Sequence, residues 1–189
     1  SAAPDGRIVG GDHVTIEEFP YAVAYTYLGA NLDNMRIRAG STNSLSGGTV
    51  VEIDNVVKHP DYTETPRSHD IAVTFLKTPL GLSNVINVLY LPPANTYIPD
   101  GQSLKVVSWG FESVSVICAA AAGKGMCMGD SGAPMVINNA IVGSSSFFKD
   151  CLDDEFPDIF TRIDRYTNWI LEVASSGGRK AEIRVAPSL

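Results

Sequence analysis

Short runs of β-branched and aromatic residues, broken by turn residues, repeat along nearly the whole chain and leave room for one helix. Tyr21 to Leu28 is aromatic and apolar, and Met35 to Arg38 alternates. Thr49 to Val57, Ile71 to Leu76, Leu104 to Trp109, Met135 to Ile137, Ala140 to Phe147 and Ile159 to Ile163 continue the rhythm. Each run fits a strand. Leu91-Pro92-Pro93-Ala94-Asn95 and Pro99-Asp100-Gly101 read as a connection. Tyr166, Trp169, Ile170 and Val173 fall on one helical face, with Asp164 placed to cap it and Ser176-Gly177-Gly178 to end it. The expected fold is all-β, built as barrels, with a C-terminal helix and a loosely ordered tail.

At 189 residues and 44% hydrophobic composition, the chain can bury one or two small cores. A net charge of −7 argues against a nucleic-acid partner, which needs a basic face. No apolar run approaches the roughly 20 residues of a membrane helix. The chain opens on Ser1 with no signal-type apolar segment, so it reads as trimmed or as a fragment. Cysteines occur only at 118, 127 and 151, an odd count that leaves at least one unpaired. Read from the count alone, they fit three buried thiols of a cytosolic protein.

Chemistry concentrates in Met128-Gly129-Asp130-Ser131-Gly132-Ala133-Pro134. Glycines on both sides of an Asp-Ser pair permit a tight turn on which a hydroxyl and backbone N–H groups converge. Near the start stands Arg7-Ile8-Val9-Gly10-Gly11. Between and after them come Phe19-Pro20-Tyr21, Arg36 to Thr42, His59-Pro60-Asp61-Tyr62, Asp70-Ile71-Ala72-Val73, Ser108-Trp109-Gly110 and Phe156-Pro157. One such motif is weak; the ordered set is specific. From about Ile8 to Ala174 the chain resembles the chymotrypsin/trypsin-like serine proteases, most of all those of insects and other invertebrates.

The resemblance implies a secreted, monomeric, double-barrel protein that hydrolyses peptide bonds. It needs no cofactor or metal, and it meets protein or peptide substrates and protease inhibitors. Ser131 matches the nucleophile, Asp70 the carboxylate that orients the general base, and the N–H groups of Gly129 and Ser131 the oxyanion donors. Cleavage after Arg7 would free the Ile8 ammonium to pair with Asp130, so the chain as written corresponds to a zymogen. Cys127 would bridge Cys151, leaving Cys118 alone. The implied divisions are a leader (1–7), a first barrel (8–91), a connection (92–103), a second barrel (104–163), the helix (164–176) and a tail (177–189). Both barrels would be short of strands.

Two departures matter. The family's catalytic histidine lies in a segment that this chain lacks outright, passing from Leu28 through Gly29 to Asn34 into Met35. A second segment is missing between Gly110 and Cys118. The remaining histidines have plain explanations. His13 follows a polar turn, His59 precedes Pro60, and His69 should face away from Asp70 on an extended strand. A serine hydroxyl with no base beside it is a poor nucleophile.

The specificity pocket would be built by Gly125, Met126, Ser146, Phe147, Phe148 and Asp158. Gly125 stands where trypsins carry the basal acid, and Phe148 stands in place of a wall glycine. Asp158 reads either as a pocket-floor acid or as a solvated loop acid. Three outcomes are compatible with these residues: a nearly inactive protease relative, a non-catalytic homologue that binds or regulates, or a shortened product of an active secreted protease.

Overall fold

The computed structural model describes residues 12–27, 35–99, 102–109, 117–119, 125–127, 129–147, 149, 158–176 and 183–189. Expectations that rest on Arg7, Ile8, Phe148 and Cys151 fall outside these residues.

Two sheets carry the fold. The first contains β2 (Val23–Tyr27), β3 (Met35–Ala39), β4 (Thr49–Lys58) and β7 (Ala72–Leu76), in the order β2-β3-β4-β7 with every pair antiparallel. Alternation sets its inner face: Ile37 and Ala39 of β3 and Val51 of β4 are buried, while neighbours such as Val50 and Glu52 turn outward. Among the described residues the sheet does not close by backbone pairing, and β2 and β7 are its two edges. It curls far enough for a side-chain hydrogen bond to join those edges. A small hairpin, β5 (Thr63–Glu64) with β6 (Arg67–Ser68), leads into β7.

The second sheet has six strands in the order β1-β9-β8-β10-β11-β12. These are β1 (Asp12–Val14), β8 (Lys105–Ser108), β9 (Ile117–Ala119), β10 (Pro134–Ile137), β11 (Ala140–Phe147) and β12 (Ile159–Arg162). Residues 12–14, counted above with the first barrel, bond instead to this sheet: Asp12, His13 and Val14 face Ala119, Cys118 and Ile117. The chain therefore crosses from the second sheet to the first between β1 and β2.

One core cluster joins Ile16, Phe19, Ala22 and Val107, with Tyr21, Val85 and Trp109 packed on it. It draws on both halves and ties them together. A second gathers Val106, Met126 and Ala133 under Met135 and Phe160.

The helix is present as α1 (Thr167–Ser176), but Asp164 does not cap it. Asp164 sits in a preceding 3-10 turn (Ile163–Arg165) and is only 1% exposed. Its carboxylate accepts two 3.0 Å hydrogen bonds from the Arg162 guanidinium, which holds the buried charge in place. The tail differs from expectation too. Residues 183–189 dock on the segment before the connection: Leu91 N–H donates to Arg184 O, Ala186 N–H donates to Leu91 O, and Ala186 is buried. Those two backbone hydrogen bonds supply the order that polar composition alone would not.

Candidate active site

The Ser131 turn is set by backbone geometry. Gly129 and Gly132 adopt φ of 90° and 82°, values that favour glycine. Between them Asp130 is fully buried, and its Oδ2 accepts the Cys127 N–H at 3.0 Å. Ala133 N–H closes the turn on Asp130 O at 3.0 Å, and Gly132 N–H bonds Ser145 O of β11 at 2.8 Å. Ser131 is left exposed at the tip. Among the described residues its hydroxyl has no hydrogen-bond partner, and the N–H groups of Gly129 and Ser131 have no acceptor. Two free N–H groups beside a free hydroxyl are the elements an oxyanion site requires.

Asp70 precedes β7 and faces the second sheet. Ser146 Oγ donates to its Oδ2 at 2.6 Å, and Thr161 Oγ1 donates to its carbonyl at 2.9 Å. Arg67 stands 3.9 Å from the same Oδ2 and donates to Ser146 O at 2.8 Å. Ser146, expected in the specificity pocket, thus serves to hold Asp70 across the two sheets. Oδ1 has no partner among the described residues.

Two cavities meet at the turn. One, about 780 Å³, is lined by Tyr21, Val23, Leu45, Trp109, Gly129 and Ser131 among others. The other, about 740 Å³, is lined by Asp70, Arg67, Ser146, Ser131, Ile71 and Tyr25 among others. Ser131 and Asp70 therefore face one shared space, which opens between the edges of the first sheet and β11.

No histidine lines either cavity among the described residues. His59 and His69 stack at 4.8 Å with ring planes 13° apart. Tyr166 and Trp169 of the C-terminal segment close on His59 at 5.3 and 4.9 Å. The Tyr166 hydroxyl lies 3.0 Å from His69 Nδ1, and burial pushes the Tyr166 phenol above its ordinary pKa. His69 does turn away from the Ser131 cavities, but not through strand alternation: its φ is 51°, so it is not extended. His59 Nδ1 accepts the Asp61 N–H at 3.2 Å within its turn. His13 is exposed on β1.

The remaining pocket expectations are mixed. Met126, 2% exposed, packs in the core cluster with Val106 and Ala133 beneath Phe160. Asp158 is not simply solvated; its Oδ2 accepts the Met126 N–H at 2.7 Å. Gly125 is half-buried, and Phe147 is 47% exposed at the end of β11. Cys127 is buried, while Cys151 lies outside the described residues. Sequence reasoning missed Arg67; its spacing of three from Asp70 was the available signal.

The trypsin family model matches residues 28–115 and 112–170. The chain belongs to the trypsin family. Among trypsin relatives, trypsin alpha of Drosophila melanogaster is 28% identical, with 91% of this chain and 89% of that protein covered. Trypsin 5G1 of Aedes aegypti is 26% identical, with coverages of 89% and 85%. The trypsin alpha alignment runs to 231 positions against the 189 residues here, so that trypsin carries residues this chain lacks.

Among solved structures, the scabies mite inactivated protease paralogue S-D1 superposes with a TM-score of 0.78 at 20% identity, covering 89% of this chain and 98% of its own. The structure of GrC gives 0.77 at 20% identity, with coverages of 89% and 100%. Both establish the trypsin-like β fold, here with an opened first sheet and one C-terminal helix.

Proposed function

We propose that this chain is a trypsin-family protein that retains the nucleophile turn and the orienting carboxylate but hydrolyses peptide bonds feebly or not at all. The observation that carries this reading is the location of the histidines. His59 and His69 are committed to a stack with Tyr166 and Trp169, while the space shared by Ser131 and Asp70 holds no imidazole from the described residues. With no base to take its proton, the Ser131 hydroxyl stays a weak nucleophile. Loss of one triad member removes a factor on the order of 10⁴ or more from turnover.

The reading includes secretion, a zymogen form released by cleavage between Arg7 and Ile8, pairing of Ile8 with Asp130, and a Cys127–Cys151 disulfide. Its test is turnover of a dye-labelled denatured protein by the chain cut after Arg7. Release no faster than with Ser131→Ala supports it, and hydrolysis at rates usual for trypsins overturns it.

A second reading is a binding or regulatory homologue. The similarity in fold to a protease paralogue described as inactivated favours it. Tight binding of a protein-type trypsin inhibitor, measured by calorimetry with no turnover, would support it; failure of every such inhibitor to bind would remove it.

A further inference from the structure

We infer that the cavity shared by Ser131 and Asp70 is a receptor for an imidazole ring supplied from outside the chain, and that an occupant there restores acyl-transfer chemistry to Ser131. The inference rests on the reading of Ser131 as nucleophile and Asp70 as orienting carboxylate. Three observations support this. The cavity, about 740 Å³, has both residues on its wall and is large enough for a small heterocycle. Asp70 is anchored on one oxygen only, by Ser146 at 2.6 Å and with Arg67 at 3.9 Å, so Oδ1 remains free to accept an N–H. The Ser131 hydroxyl has no partner among the described residues, so it can donate to an incoming nitrogen.

Neutral imidazole has one N–H donor and one acceptor nitrogen on opposite sides of the ring. The donor is offered to Asp70 Oδ1, which would fix the tautomer and stabilise the cation that forms. The acceptor takes the Ser131 proton. Arg67, beside Oδ2, limits that stabilisation without occupying Oδ1. The source is either free imidazole or a histidine of a bound peptide. With a fluorophosphonate the step balances simply: the Oγ–P bond forms, the P–F bond breaks, fluoride leaves with its electron pair, and the serine proton passes to the ring nitrogen and then to water.

The test uses the full chain, cut after Arg7 by an immobilised protease that is then removed. The rate of fluorophosphonate addition to Ser131 is followed by mass spectrometry against imidazole concentration. General-base assistance predicts an acceleration of about 100-fold. The discriminating probe is 1-methylimidazole, which keeps a basic nitrogen but has no N–H for Asp70; it should give less than about a tenth of that gain.

Asp70→Asn, checked for folding by tryptophan fluorescence, should bring imidazole down to the level of its methyl analogue. A peptide ester with histidine beside the scissile bond should acylate Ser131 faster than its alanine counterpart if peptides are the source, and equally if only the free ring enters. No acceleration, equal acceleration by both bases, or acceleration that survives Asp70→Asn overturns the inference and leaves the reading of weak activity intact. Rapid labelling without any imidazole would instead overturn that reading.

Discussion

The hydroxyl of Tyr25 on β2 lies 2.7 Å from Oγ1 of Thr74 on β7, joining the two edge strands of the first sheet. Among the described residues those strands have no backbone partner on their outer sides, and this side-chain bond spans the opening. A double-mutant cycle of Tyr25→Phe and Thr74→Val should give a coupling of about 0.5–1 kcal/mol, the low end for a neutral hydrogen bond because Tyr25 is half exposed. Urea unfolding measures it. Additive losses would mean the edges are held apart in solution.

Asp164 should be a strong stability determinant although it touches neither cavity. Its carboxylate is buried and takes two hydrogen bonds from Arg162, with Arg165 at 3.7 Å. Asp164→Asn keeps the shape and removes the charge, at an expected loss of about 2–3 kcal/mol by urea midpoint. A loss under about 0.5 kcal/mol would place the arginines' contribution elsewhere.

Burial pushes the Tyr21 phenol from 10.0 up to about 12. A raised folded-state pKa means the unfolded chain loses this proton first. The tyrosine's contribution to stability is therefore complete below the unfolded value of about 10 and is lost as pH rises from there toward the folded value. Between about pH 10 and pH 11 the urea midpoint should fall more steeply for the parent than for Tyr21→Phe. Identical slopes would show that Tyr21 is hydrated.

Met126 fills the cluster with Val106 and Ala133, and its N–H is held by Asp158. Met126→Ala should cost about 2–5 kcal/mol through lost burial and a residual cavity. Asp158→Ala, which strips the acceptor from a partly buried N–H, should cost about 1–3 kcal/mol. If Met126→Ala were neutral and altered ligand binding instead, the side chain would belong to a pocket wall after all.

The strand positions were legible because alternation and β-branching are local. Ile37 turns inward as the alternation of Met35 to Arg38 implied, and β11 spans the residues read from Ala140 to Phe147. The Ser131 turn was legible because its glycines are needed at positive φ. What stayed hidden depends on partners distant in sequence. Ser146 reached Asp70 across 76 positions, and His69 reached Tyr166 across 97. Asp164 read as a cap from spacing alone, yet two arginines within three residues hold it in a 3-10 turn. The docked tail was invisible for the same reason: its order comes from Leu91.

On the proposed reading, Ser131 has no base of its own. The direct measurement is the stoichiometry of fluorophosphonate on the chain cut after Arg7, in buffer free of imidazole, read by intact mass and located by peptide mapping. Ser131 should remain unmodified after hours under conditions in which an active trypsin is fully labelled within minutes. One adduct per chain at Ser131 on the trypsin timescale would contradict it.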